Sequence, residues 1–376
     1  MRSGPYCRLE TQRANETRAN KIKNNKNKKK NKSCGIKTSS TAISIPSSLD
    51  DFIEERREKT NIIKMPPIPP TEPGPLRNWL SQINDNVLLS QLSLPGTHNS
   101  AAAYLSLPSV QCQGASVSEQ LNYGVRFLDI RVARTFFGLC GGPEELQVIH
   151  GNFPVRLPMP VKLMDVLHDV YQFLQEQPSE TVLVSIKQEG NDQWGEDEFP
   201  NLIWNKYIAP SQDRWYLKGD IPKVGDARGK AFLFRRFGVK SDQLRNNFGF
   251  EASWWKYNTA HDEHDKFTVQ DWSEVNEPTD FPTKVGYVND HLQRAVQFNT
   301  TEEGLQQDHA KLFLNFCSGS NFFNPQCWPQ GVATAVSAGI TGLGQGCGIV
   351  IVDFAEHDNW AIVRQLVDGN IKALAK

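Results

Sequence analysis

From Leu76 to the end of the chain, short apolar runs recur with helical segments or long loops between them. They are LLSQLSLPG (88–96), VRFLDIRV (125–132), LQVIHG (146–151), TVLVSIK (181–187), KAFLFRRF (230–237), FTVQDW (267–272), KLFLNF (311–316) and GIVIVDF (348–354). Runs this continuous in Val, Ile, Leu and Phe suit strands covered on both faces, the condition of a parallel sheet with crossover connections. Eight of them predict an α/β chain folded as a distorted (β/α)8 TIM-like barrel, with an open doubly wound sheet as the alternative. The clearest crossover helix lies between the third and fourth runs. Pro160 suits its first turn, Met164, Leu167, Tyr171 and Leu174 form its apolar stripe, and Pro178 follows its end. Residues 238–266 and 273–310 are less clearly helical, so the barrel is expected to be irregular.

The first 64 residues are a different object. They hold 16 Lys and Arg against 7 Asp and Glu, whereas the remainder holds 25 against 35, so the formal net charge of −1 conceals +9 followed by −10. The Lys, Asn and Ser composition around KIKNNKNKKKNK (21–32) cannot bury enough apolar surface to offset the entropy of ordering. The predicted organisation is a disordered basic tail (1–64), a Pro-rich linker (65–78) and one catalytic domain (79–376). Met65 is an alternative start. A basic run can bind anionic lipid or nucleic acid, but no aromatic residue interleaves its lysines, and no nucleic-acid partner is expected. The seven cysteines contain no CxxC pair and read as mostly reduced. No run approaches the length of a membrane span and no apolar leader opens the chain, so a cytoplasmic or peripheral-membrane monomer is expected.

In either architecture chemistry gathers at the carboxyl ends of parallel strands. Polar groups end seven of the eight runs or lie within them: His98, Asp129 with Arg131, His150, Lys187, Arg235 with Arg236, Asp271 and Asp353. Two imidazoles, cations and a carboxylate are a kit for cleaving a phosphodiester without metal. A neutral His takes a proton from an attacking hydroxyl, a protonated His gives one to the leaving oxygen, and Arg or Lys offsets phosphoryl charge. A carboxylate behind one ring fixes its tautomer, and Asp353 is the candidate. Each residue taken singly has a structural role as its default reading. Joint placement at strand ends is what lifts them above it.

LSLPGTHNS (92–100), RFLDIR (126–131), VIHG (148–151), VSIKQE (184–189), RGKAFLFRR (228–236), TVQD (268–271) and IVDFAEHDNW (351–360), in that order, resemble the bacterial-type phosphatidylinositol-specific phospholipase C X domain. The resemblance implies cleavage of phosphatidylinositol by its own inositol 2-hydroxyl, giving diacylglycerol and a cyclic inositol phosphate. Carried over, it makes His98 the general base oriented by Asp353, His150 the general acid, and Arg131 the group that binds the phosphoryl oxygens and activates the hydroxyl. Lys187, Arg236 and Asp271 match positions that contact inositol, and Asp129 joins them as a substrate-side carboxylate.

That family has a calcium-dependent branch, in which acids stand where this chain has Phe127 and Lys187. With Arg131 also present, no metal is predicted, although Asn99 and Asp129 could each be ligands in a calcium site. Two departures bear on specificity. Asn99 stands where bacterial members carry an Asp that supports the general acid, and Ser273 stands where they carry an aromatic ring against inositol. Trp272 next door would point to the other face. The rival readings are a diesterase for another lipid headgroup, motivated by Ser273, and an inactive lipid-binding relative, motivated by Asn99.

His261 and His264 in HDEHD read as a solvated loop rather than a metal pair, and His168 as an exposed helix residue. The loops FFGLCGG (136–142) and FFNPQCW (322–328) follow strands and would rim the active face, where aromatics either dip into a bilayer or pack inward.

Overall fold

A computed structural model of the chain describes residues 76–104, 107–135 and 145–376. The basic tail, the linker up to residue 75 and the loop 136–142 lie outside the described residues. One twelve-stranded sheet organises the rest. Its strands are β1 (Ser93–Thr97), β2 (Phe127–Arg134), β3 (Leu146–His150), β4 (Phe153–Pro154), β5 (Val182–Gln188), β6 (Trp215–Tyr216), β7 (Ala231–Arg236), β8 (Phe250–Glu251), β9 (Thr259–Glu263), β10 (Phe267–Asp271), β11 (Leu312–Phe316) and β12 (Gly348–Val352). The main path runs β6-β7-β5-β2-β1-β12-β11-β10-β9, with β8 parallel on the carboxyl half of β7. Nine strands, β1, β2, β5, β6, β7, β8, β10, β11 and β12, pair in parallel. They curl into a distorted (β/α)8-type barrel. The seam lies between β8 and β10, which face each other through Phe250 and Phe267, with ring centroids 6.4 Å apart, rather than through a hydrogen-bonded ladder.

Among the helices that connect or cover the strands are α1 (Val117–Asn122), α2 (Leu163–Glu176), α3 (Phe281–Asn299), α4 (Pro329–Gly339) and α5 (His357–Leu374), the last interrupted by left-handed residues at Asp358–Trp360. In α2, Leu163, Val166, Leu167, Val170, Tyr171, Phe173 and Leu174 are buried, a wider stripe than predicted; Met164 is only half-buried and Pro160 lies ahead of the helix.

Three expectations are corrected. The run 146–151 is not a barrel strand, because β3 pairs antiparallel with the far end of β2 and folds back on β4. The parallel strands are completed instead by the two-residue β6 and β8, each too short to register as a run. Residues 273–310 do contain a regular helix, α3. Its buried face is Lys284, Val288, His291, Leu292, Ala295 and Asn299, half of it polar, which erases the apolar periodicity on which the prediction depended. HDEHD is not a loop, since His261 lies on the antiparallel edge strand β9. Residues 238–266 do lack a long helix, with a single turn at Asp242–Arg245.

The barrel interior is layered by the two-residue period of its strands. Phe127, Asp129 and Arg131 share one face of β2, and Phe234 and Arg236 share one face of β7. Phe127 packs edge-on against Phe234 at 5.6 Å and Phe234 stacks on Phe250 at 5.4 Å, which builds an aromatic floor. One rung higher, toward the carboxyl ends, the same faces carry the charges. Gly96 makes the floor possible, because a Cβ there would stand 3.1 Å from Phe127 and 3.2 Å from Ile351.

Candidate active site

His98 and Asp353 are 255 residues apart in sequence but adjacent in space, because Thr97 of β1 pairs with Val352 of β12 and each side chain follows its strand by one residue. His98 N donates to Val352 O at 3.0 Å, which continues the ladder past the strand end. The rings and carboxylate then meet, with His98 Nδ1 2.8 Å from Asp353 Oδ1. Burial, reinforced by the Arg131 cation, pushes the His98 imidazole well below its ordinary range, so the ring is neutral near pH 7. Burial also pushes Asp353 up, against the pull of Arg131 and Lys284. With Nδ1 committed to the carboxylate, Nε2 carries the lone pair, which the Asn99 amide nitrogen approaches at 3.4 Å.

His150 closes β3 and lies edge-on to His98, with ring centroids 5.7 Å apart. Its Nδ1 is 2.9 Å from the Val110 carbonyl, which fixes the tautomer and leaves Nε2 to act. Burial lowers its pKa too, opposed by that carbonyl. The expectation for Asn99 changes here. Its amide nitrogen is 3.4 Å from Nε2 of His98, not of His150, because the left-handed turn at Asn99 (φ 42°) swings the side chain back toward its neighbour. The Val110 backbone occupies the supporting position that the resemblance assigns to an acid.

Arg131, Lys187 and Arg236 cluster beside the two rings, held by carboxylates. Arg131 Nε donates to Asp129 at 2.9 Å and Arg236 donates to the other Asp129 oxygen at 3.3 Å. Burial alone would raise the Asp129 pKa, but the two guanidiniums hold it well below the carboxylate range. Fully buried, with a guanidinium on each oxygen, Asp129 braces the cations. Lys187 Nζ donates to Glu189 at 2.6 Å, and the same carboxylate takes Arg131 at 3.3 Å and the Gly151 amide at 2.7 Å. Burial would raise Glu189, yet Arg131 and Lys187 bring it down to about 2. Asp271 accepts from the Trp255 indole at 3.0 Å, and that ring lies 3.8 Å from the Arg236 guanidinium.

Several residues here escaped the sequence reading. Glu189 lies two positions past Lys187, inside the quoted VSIKQE, and extending the strand-end rule by two residues would have found it. Gln113 clamps the site by donating to His98 O at 2.9 Å and Val352 O at 3.0 Å, and Cys112 lies beside it against His150. Trp255 is on no regular element. Ser273 sits in a loop, its amide bonded to Asn258, while Trp272 packs edge-on against Tyr287 of α3, turned away as its parity predicts. His168 is exposed, and His261 and His264 are paired with Glu263 and Asp262. Among the described residues, the one group able to converge on a metal ion is His98, Cys112 and Asp353.

The sequence profile described as "Phosphatidylinositol-specific phospholipase C, X domain" matches residues 92–237. A 1-phosphatidylinositol phosphodiesterase of Listeria monocytogenes is 27% identical over 307 residues, covering 78% of this chain and 85% of the relative. One from Staphylococcus aureus is 23% identical over 309 residues, covering 78% and 94%. Among solved structures, a mutant of the phosphatidylinositol-specific phospholipase C from Staphylococcus aureus superposes with a TM-score of 0.62 at 22% identity, over 78% of this chain and 97% of that one. The corresponding Listeria monocytogenes structure gives 0.57 at 23% identity, over 78% and 98%.

Proposed function

For a chain that belongs to the phosphatidylinositol-specific phospholipase C X-domain family, we propose that it cleaves phosphatidylinositol between phosphorus and the glycerol oxygen, with the inositol 2-hydroxyl as nucleophile. His98 Nε2 takes the hydroxyl proton while its Nδ1 is held by Asp353. The hydroxyl oxygen bonds to phosphorus, the bond to the glycerol oxygen breaks, and His150 Nε2 delivers a proton to that oxygen. Diacylglycerol leaves and inositol cyclic phosphate remains. Arg131 offsets the charge that develops on the phosphoryl oxygens in a site shielded from water, where such charge is most effective.

The observation that carries this reading is the pair of imidazoles 5.7 Å apart, one on a buried carboxylate and one on a carbonyl, beside the Arg131 guanidinium braced by Asp129. Inositol is supported by Lys187, Arg236 and Asp271 together with the Trp255 ring over Arg236, an aromatic surface that Ser273 cannot supply. Arg131 and Lys187 provide the positive charge a divalent cation would otherwise bring, so turnover is taken to need no metal. The lipid reaches the pocket at a membrane surface. No helix among the described residues is long and apolar enough to cross one, while Phe322 and Phe323 stand exposed and Phe153, just past His150, stacks on Phe322.

Release of water-soluble inositol phosphate from phosphatidylinositol micelles in EDTA tests it. His98→Ala lowers that rate by roughly 10²- to 10⁴-fold, the range of a lost acid–base group. Equal rates in variant and wild type would refute the assignment.

A further inference from the structure

Cys112 is fully buried directly behind the two histidines, and the acid–base reaction gives it nothing to do. Its Sγ is 3.5 Å from His150 Nδ1. A His98 nitrogen, the Cys112 sulfur and an Asp353 oxygen all lie within 4.8 Å of one another. One of the Asp353 oxygens, Oδ2, meets no nitrogen or oxygen donor although the residue is only 3% exposed, and the Cys112 thiol is the side chain that hydrogen-bonds this carboxyl group. A buried carboxylate, a thiol and an imidazole converging within one coordination radius are a donor set able to hold an ion.

We propose that His98, Cys112 and Asp353 form a binding site for a soft divalent cation, with Zn2+ the fitting ion, and that its occupancy switches the enzyme off. The claim goes beyond the proposed function, in which no metal takes part.

The chemistry selects zinc over the hard cations. A thiolate, an imidazole and a carboxylate are all ordinary zinc ligands, whereas calcium and magnesium require shells of oxygen. Bonds of about 2.0–2.3 Å around a tetrahedral zinc separate its ligand atoms by roughly 3.3–3.8 Å, so small side-chain shifts suffice from the spacing present. Binding releases one proton, that of the Cys112 thiol, while the His98 proton moves from Nδ1, which takes the ion, to Nε2, and no electrons move. Thiolate and carboxylate neutralise the ion. The nearby Arg131 is already offset by Asp129 and Glu189, so it adds little repulsion. Three side-chain ligands leave the fourth position of a tetrahedral ion to water. Once His98 and Asp353 are ligands, the base can neither keep its tautomer nor accept the hydroxyl proton, so inhibition follows from the same atoms that catalyse.

Cobalt binding to the full chain reads the site without turnover, so it stands apart from any failure of the proposed activity. Wild type should develop the thiolate-to-Co2+ charge-transfer absorption, lose it on adding Zn2+, and fail to develop it as Cys112→Ser. In the inositol phosphate assay, with each protein compared to its own rate in EDTA, the half-inhibiting Zn2+ concentration should rise about 100-fold in Cys112→Ser, the upper end of what loss of even an outer-shell partner costs in metal affinity. Should the variant fold poorly, X-ray absorption of the zinc-loaded wild type decides, with one sulfur neighbour near ~2.3 Å expected. A zinc shell without sulfur, a cobalt band that persists in Cys112→Ser, or unchanged inhibition would overturn the proposal.

Discussion

At the scale of single residues, the site is a set of charges neutralised in pairs until a substrate arrives. Both histidines are pushed below their ordinary pKa by burial, and this fixes the expected pH dependence. The base must be deprotonated, which holds above the lowered pKa of His98. The acid must be protonated, which holds below the lowered pKa of His150. The optimum of kcat/KM for the free enzyme therefore falls below pH 6.5, and the rate declines from there toward neutrality; a profile centred above pH 7.5 would show that the rings are not desolvated as described. His98, His150, Arg131, Lys187, Arg236, Asp271 and Asp353 could be read from the sequence because each lies at or near the end of a strand or apolar run. Gln113, Cys112 and Trp255 could not. They lie in connections, and only the folded register reveals what they touch.

Among the elements, the reading succeeded where a strand is long and covered on both faces and failed where it is short or half polar. β5 and β12 are continuous apolar runs and were legible. β3 has the same composition yet turns outward, and composition alone does not say whether a strand runs parallel or antiparallel. The two-residue β8 depends on Gly249, which sits at φ +78° with the Leu233 carbonyl oxygen 2.5 Å from where a Cβ would stand. Left-handed backbone costs a non-glycine residue about 1–2 kcal/mol before any clash is counted. Gly249→Ala is thus expected to lower unfolding stability in urea by more than that amount. A change under about 0.5 kcal/mol, the usual span for surface substitutions, would mean that β8 does not hold this edge.

For the whole molecule, charge and apolar exposure point to different routes onto a membrane. Residues 65–376 carry 25 basic and 35 acidic side chains, so the barrel is repelled by the anionic lipid it would cleave. Contact then rests on Phe153, Phe322 and Phe323, the last 90% exposed. Burial of a phenylalanine is worth about 1.5–3 kcal/mol, so the double variant Phe322→Ser/Phe323→Ser should bind neutral phosphatidylcholine vesicles at least about tenfold more weakly. Its rate on dispersed short-chain phosphatidylinositol should stay unchanged, and equal vesicle binding would remove these rings from the interface. The barrel class was legible because the seven runs that do form barrel strands, separated by crossover segments, admit few architectures. The open seam was not, since it is closed by phenylalanine contacts rather than by a ladder.

The central claim is that the inositol 2-hydroxyl itself attacks phosphorus, driven by His98 and His150 without a metal. The most direct measurement is 31P NMR of phosphatidylinositol turnover in EDTA, run beside the analogue methylated on the 2-hydroxyl. The account predicts inositol cyclic phosphate as the first phosphorus-containing product and no reaction with the methylated lipid. An acyclic phosphate appearing first, or turnover of the methylated analogue, would contradict it.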